Sequence, residues 1–221
     1  YLLYMRYIQR VYNHFRAYHS ASISHFLDTI NMDIYQLIND FSYKSFKTIG
    51  GSSQYSTFEG QSLIDSWKEL EGEVYKNFDN KGKKDGFDAR VHGAFLVMEK
   101  GKAILFTQRL NVKAELLPFK IINVKKDFLF INIQNVVKGI NFEGLNPLKQ
   151  MELSRNNDLY FYKEATENII FRDAHHNHLL YCTKEIENIL NELDIKGLAL
   201  EKVGKVAPIP SFPKERNIFN K

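Results

Sequence analysis

A second cysteine is missing from this sequence. Cys182 stands alone, which excludes an internal disulfide and a cysteine-built zinc knuckle and fits a reducing compartment. No apolar run reaches the roughly 18 residues that a spanning helix needs, so no transmembrane helix is expected. Charge of one sign is also scarce. The 30 basic and 26 acidic residues leave a formal charge of +4. It is spread along the chain rather than gathered into the basic stripe of a nucleic-acid binder. Three catalytic signatures are absent: the G-x-S-x-G elbow, the H-E-x-x-H zinc helix and the G-x-x-x-x-G-K-[ST] phosphate cradle. No internal repeat or low-complexity tract occurs. What the chain has is apolar material, 44% hydrophobic and 14% aromatic over 221 residues. A chain of this size buries roughly 70% of its unfolded surface, enough for a real core in one large domain or two small ones.

The first 31 residues differ from the rest. Tyr4, Ile8, Val11, Phe15 and Tyr18 share one helical face. Arg6, Arg10 and Arg16 are basic, and Asp28 is the only acid. Two readings fit: an amphipathic targeting or membrane-surface helix, or a helical extension ahead of a natural start at Met32. The second is preferred. Charges and His14 break any secretory apolar stretch. The expected organisation is a helical extension over 1–31, a domain over 32–206, and a loose tail over 207–221 carrying Pro208, Pro210 and Pro213.

Within the domain, Met32 to Asn39 and Lys44 to Ile49 read as strands. Gly50-Gly51-Ser52-Ser53 opens a loop. Trp67 to Tyr75 alternates as a strand, with Trp67, Leu70 or Val74 inward and Glu69, Glu71 and Glu73 outward. Asn77 to Asp88 reads as an exposed loop. Phe95-Leu96-Val97 is a buried strand, followed by a helix over 100–109 with Ala103, Ile104 and Leu105 as its apolar side. Val112 to Val124 is a strand region that Pro118 interrupts. Phe128 to Ile133 is apolar on both faces and belongs in the middle of a covered sheet. The hairpin over 112–134 is the expected heart of the fold. Leu159 to Tyr162, Ile169 to Arg172 and Leu179 to Cys182 read as short strands. Thr183 is placed to cap a helix whose buried face holds Ile186, Ile189, Leu190 and Leu193. Gly197 supplies a left-handed stop, and Leu198 to Val203 returns as a strand. The sum is an α+β fold, mostly antiparallel sheets with a few short helices packed on them.

Candidate chemistry is thin. Asp173, His175, His176 and His178 form the densest group of potential metal ligands, since imidazole and carboxylate both offer lone pairs. Their spacing matches no zinc signature, and a turn between strands explains them more simply. Cys182 precedes a helix start, where a thiol can be activated, but its apolar flanks point to a packed core cysteine. Lys81-Gly82-Lys83-Lys84 reads as a solvated loop. Asp65, Glu69, Glu71 and Glu73 cluster around Trp67. They read as an exposed strand face or as a docking surface for a basic partner, with Trp67 as its aromatic anchor.

Several segments carry a resemblance. They are Ser66-Trp67-Lys68-Glu69-Leu70, Phe95-Leu96-Val97-Met98-Glu99-Lys100, Glu115-Leu116-Leu117-Pro118-Phe119 and, above all, Phe130-Ile131-Asn132-Ile133-Gln134-Asn135-Val136-Val137. Ile169-Ile170-Phe171-Arg172, Leu180-Tyr181-Cys182-Thr183-Lys184-Glu185 and Lys196-Gly197-Leu198-Ala199-Leu200 continue it. In order and spacing, residues 32–204 resemble polymorphic-toxin immunity protein family eleven, formerly a domain-of-unknown-function family. Lys138 and Asn141 stand where the family pattern has acids; if those acids contact the toxin in relatives, the departure implies a different toxin or a lost function. The resemblance implies a cytoplasmic, non-enzymatic binder of a cognate secreted toxin, without cofactor, nucleic acid or membrane. Trp67, Glu69, Glu71 and Glu73 are the expected toxin-binding residues. The alternative expectation is a metal-dependent hydrolase or transferase built on His175, His176 and His178.

Overall fold

Alternation along the chain builds two mixed six-stranded sheets. The computed structural model describes residues 32–50, 60–75 and 80–209. The first sheet contains β1 (Asp33–Asn39), β8 (Val136–Val137), β9 (Leu159–Phe161), β10 (Ile170–Asp173), β11 (Tyr181–Cys182) and β12 (Leu198–Val206), in the order β8-β10-β11-β1-β12-β9. The second contains β2 (Phe46–Ile49), β3 (Leu70–Val74), β4 (Ala89–His92), β5 (Phe95–Glu99), β6 (Ala114–Ile122) and β7 (Phe128–Ile133), in the order β2-β3-β6-β7-β5-β4. Pairing is antiparallel except for β10 with β8, β12 with β9, and β3 with β6. Among the described residues, three short α-helices complete the α+β fold: α1 (Lys100–Leu110), α2 (Pro147–Arg155) and α3 (Glu185–Glu192). The helical extension expected over 1–31 lies outside the described residues, as do 51–59, 76–79 and the tail from 210.

Strand β7 shows how the layers arise. Phe128 and Phe130 point into an aromatic core with Phe46, Phe95 and Phe119. Leu129, Ile131 and Ile133 point the other way, into the core shared with Leu37, Ile170 and Cys182 of the first sheet. Helices α1 and α3 join this shared core through Ala103, Phe106, Ile186 and Leu190. The first sheet's other face carries Ile34, Phe171 and Tyr181, covered by Leu153 of α2 and by Ala165. Each face is apolar because it meets a neighbour, as two-sided strands require.

Several sequence expectations need correction. Pro118 does not interrupt its strand: β6 runs through it, and Pro118 pairs with Leu129. The pairing of β3 with β6 covers only Phe119 to Ile122. The missing N–H of Pro118 therefore falls where β6 has no second neighbour, a position that tolerates proline. Helix α1 buries Ala103, Phe106 and Leu110, leaving Ile104 and Leu105 exposed. Its first turn is capped by Glu99, which accepts from the amides of Gly101 and Lys102 at 3.1 and 3.0 Å. Thr183 does not cap α3. Its hydroxyl is buried without a hydrogen-bond partner, and Lys184 occupies the cap position. The left-handed residue after α3 is Asp194 (φ 45°), not Gly197. Gly197, further on, is needed both for its own positive φ of 107° and for closeness, because a Cβ there would lie 2.3 Å from the carbonyl oxygen of Ala89. The loop up to Asp88 is not simply exposed: Asn80, Phe87 and Asp88 are buried. The segment from Ala207 is not loose at its start either, since Ala207 and Ile209 pack on the third core.

Candidate functional site

The acidic strand is the first candidate, and its surroundings follow from sheet register. Leu70 faces the aromatic core, and Gly72 is buried with Phe119 against it. Alternation therefore turns Glu71 and Glu73 to the opposite face. Residues paired across strands share that face. One row reads Ile49, Glu71, Lys120 and the next Lys47, Glu73, Ile122. Ile49, Glu71, Lys47 and Lys120 are exposed, with Ile49 at 45%. Lys47 binds Glu73 at 2.8 Å, which pushes the lysine above its ordinary pKa. The two acids are thus interleaved with two lysines. The face is zwitterionic with an exposed isoleucine, not a one-sign acidic patch.

Glu73 and Ile122 also line a groove of about 700 Å³ at the end of β3, together with Lys44, Tyr75, Lys81 and Asn123. Lys44 is held at 2.7 Å by Asp85. Lys81 makes no salt bridge among the described residues. The basic run 81–84 is anchored at its end: Lys84 pairs with Tyr43 and sets its ammonium 5.4 Å from the ring centre.

Trp67 turns away from Glu71 and Glu73. Its ring packs on Phe130 and Phe95 at centroid distances of 5.3 and 6.4 Å, and its indole N–H donates to the Pro118 carbonyl at 3.0 Å. The preceding loop is fastened by Glu115. That carboxylate accepts from the Ser62 hydroxyl, from the Leu63 amide at 2.9 Å and from the Asn132 side chain at 2.8 Å. Burial raises the Glu115 pKa, and these donors outweigh it, so the group sits below its usual value. Glu69 is exposed just before β3. Of the four expected residues, the fold gathers Glu71 and Glu73 on one face and places Trp67 behind it, as part of the support.

The histidine segment is organised by Asp173, which is fully buried. Its Oδ2 accepts from the amides of Gly139 and Ile140 at 2.8 and 2.7 Å. Its Oδ1 accepts from the amides of His175 and His176 at 2.7 and 3.3 Å. The carboxylate is used up pinning two loops together. His176 Nδ1 lies 3.1 Å from the Tyr181 hydroxyl, and the Phe142 ring packs on both His175 and His176. Burial is the main cause that lowers the His176 pKa. Among the described residues no three His, Cys, Asp or Glu side chains are placed to hold a metal ion. The residues expected to build a metal-dependent site instead form a turn fixed by backbone donors. Cys182 is also structural: it is fully buried on β11, and burial pushes its thiol up, out of the reactive range.

No protein-family model matches this chain, and no curated protein matches it significantly. Among the described residues, no helix is long and apolar enough to cross a membrane. Lys138 and Asn141 lie on the segment that Asp173 holds. Lys138 stands 5.4 Å from the Tyr162 ring centre, and the Asn141 side chain accepts from Glu143 N at 3.1 Å.

Two polar centres escaped the sequence reading. Asp88, 3% exposed, binds Lys102 at 2.8 Å and Lys126 at 2.7 Å and accepts from Lys196 N at 3.2 Å. Arg90, 2% exposed, joins the end of β1 to β4 and to the segment before β12. Neither carries a local signal, because their partners are remote in sequence.

Proposed function

We propose that the protein is an immunity protein that binds and blocks a toxin domain delivered between competing bacteria, and that it transforms no substrate. The observation that carries this reading is the face of β2, β3 and the end of β6, where Lys47, Ile49, Glu71 and Lys120 are exposed. Two rows of interleaved charge and isoleucine run there into the groove beside Glu73. Apolar contact supplies affinity in such a face, and charge register selects the partner. The resemblance in segment order over 32–204 supports the same reading. So does the way Asp173, the nearby histidines and Cys182 are committed to structure.

Neutralising a toxin asks for tight binding, about 12 kcal/mol for nanomolar affinity. A surface reaches that through a central anchor enclosed by a dry rim. In this proposal a toxin side chain occupies the groove, with Lys81 at its wall and the Glu71 and Glu73 rows around it. Trp67 acts from behind, by holding β6 where β3 begins. The toxin is blocked by coverage of its active site in the cytoplasm of the producing cell.

The test is to identify the reading frame adjacent to this one and, where it encodes a toxin-like domain, to co-express the two. Protection of the cells and co-purification of the two proteins is the expected result. Glu71→Lys with Glu73→Lys is expected to weaken binding at least about tenfold. Absence of both protection and binding at micromolar concentration would refute the proposal.

A further inference from the structure

The two ends of the second sheet meet without backbone pairing. β2 and β4 are its terminal strands. Even so, Phe46 of β2 stacks on His92 of β4 with ring centroids 5.1 Å apart. Ser45, just before β2, accepts from Arg90 Nη2 at 2.7 Å. Side chains close this curl, and side chains fill a seam less evenly than a hydrogen-bonded ladder does. A cavity of about 210 Å³ lies there, lined by Asn39, Ser45, Tyr75, Arg90 and His92 among others. Pockets for drug-sized ligands run from roughly 300 to 1,000 Å³. This one suits a small ion or a single functional group.

Its polar groups favour one charge. Arg90 is 2% exposed. Its Nη1 donates to the carbonyls of Asp40 and Gly197 at 2.7 and 3.1 Å, and its Nη2 to the Ser45 hydroxyl. Its Nε has no hydrogen-bond partner. None of these acceptors is charged, and Arg90 makes no salt bridge among the described residues. Asp40, the acid that acts on it through space, accepts from Ser42 N through Oδ1 at 2.9 Å, and among the described residues its carboxylate makes no hydrogen bond to the guanidinium. A guanidinium does not give up its proton at ordinary pH. The seam therefore keeps a full positive charge facing neutral oxygens, a costly arrangement that an anion would relieve. Ser45, which accepts from Arg90, keeps its own hydroxyl proton to donate. Asn39 is a wall rather than a ligand group, because its amide accepts from and donates to the backbone of Val91 at 2.7 and 2.9 Å.

We propose that this seam pocket binds a small oxyanion, a carboxylate or phosphate group, through the Arg90 guanidinium and the Ser45 hydroxyl. Arginine matches the paired oxygens of either group, and the bond is strengthened by charge on both partners. The site needs no toxin, and it shares only Tyr75 with the groove described above. Occupancy would tie β2 to β4 and stiffen the open end of the aromatic core.

The experiment titrates the full chain with sodium phosphate and, separately, sodium acetate, against sodium chloride at equal ionic strength. Arginine Nε–H resonances and the thermal midpoint are followed together. The resonance that disappears in Arg90→Lys is expected to shift saturably with phosphate or acetate and not with chloride, and the midpoint is expected to rise with it. The tighter of the two anions identifies the source chemistry. Ser45→Ala, a small change outside the strands, is expected to keep the fold and weaken binding about tenfold or more, the cost of one hydrogen bond to a charged group. No saturable response to either anion, or unchanged affinity in Ser45→Ala, would overturn the site whether or not the arginine variant folds.

Discussion

Trp67 donates its indole N–H to the carbonyl of Pro118, 3.0 Å away. The contact joins the start of β3 to the last point at which β6 lacks a neighbour on that side. Phe at this position keeps an aromatic ring against Phe95 and Phe130 and loses the bond. Trp67→Phe is therefore expected to cost about 1 kcal/mol, and Trp67→Ala about 3 kcal/mol through lost packing. Urea denaturation measures both. Equal losses in the two variants would mean that the ring packing is unimportant.

Asp173 makes a stronger prediction. It gathers four backbone N–H groups from two loops. Asp173→Asn keeps the shape and turns part of an acceptor into a donor facing other donors. A loss of about 3 kcal/mol or more is expected, on the scale of breaking hydrogen bonds to a buried charge. His178→Ala, on the same turn, is expected to change stability far less. Hydrogen exchange at Gly139 and Ile140 should accelerate in the asparagine variant only.

Acid should unfold the protein in two stages. Burial lowers the pKa of His92 and of His176 below the ordinary 6.5. The unfolded chain thus takes up these protons first, and stability falls as pH drops below about 6.5 toward the lowered values. Asp88 acts in the second stage. Burial raises its pKa, but Lys102, Lys126 and the Lys196 amide outweigh that and hold it below the ordinary 3.8. Its contribution is complete above the unfolded pKa and is lost as pH falls through the lowered one. Asp88→Asn should flatten the second stage and leave the first. Denaturation midpoints measured from pH 7 to pH 2 give the curve.

Cys182 should be silent to thiol reagents in the native protein. It is fully buried, with its sulfur 3.7 Å from the Tyr35 carbonyl oxygen. Labelling is expected only in denaturant, at the rate of an ordinary cysteine. Prompt labelling of folded protein would contradict the burial. Cys182→Ser is expected to be less stable than Cys182→Ala, because it buries a hydroxyl with poor prospects of a partner, at about 1–3 kcal/mol.

Charge reversal at Glu71 tests the proposed face without touching the fold. Glu71 is exposed and makes no salt bridge among the described residues. Glu71→Lys should leave stability within about 0.5 kcal/mol and slow association with the proposed toxin partner. Stopped-flow binding separates the two effects, and a stability loss without a change in association would remove Glu71 from the interface.

Parts of this structure were legible locally. The two-sided apolar run at Phe128–Ile133 announced a covered strand. The spacing of Ile186, Ile189, Leu190 and Leu193 announced the face that α3 buries. Helix α2 was legible and overlooked. Asn146 caps it, accepting from Lys149 N at 2.8 Å, and Pro147 stands at its first turn, a pattern that starts helices. Helix α1 misled because Ile104 and Leu105 are apolar yet exposed, and the face is decided by where Phe106 meets the sheet.

The sequence by itself determined the two-sided strand β7, the buried face of α3 and the inert setting of the one cysteine, because apolar periodicity is written in neighbouring residues. Tertiary structure alone decided that Pro118 could remain in a strand, that Asp88 and Arg90 could be buried, and that Glu71 and Glu73 would meet lysines. The reason is that burying a charge or losing a backbone donor depends on partners far along the chain. For Asp88 those partners lie 14, 38 and 108 residues away, beyond the reach of any local pattern.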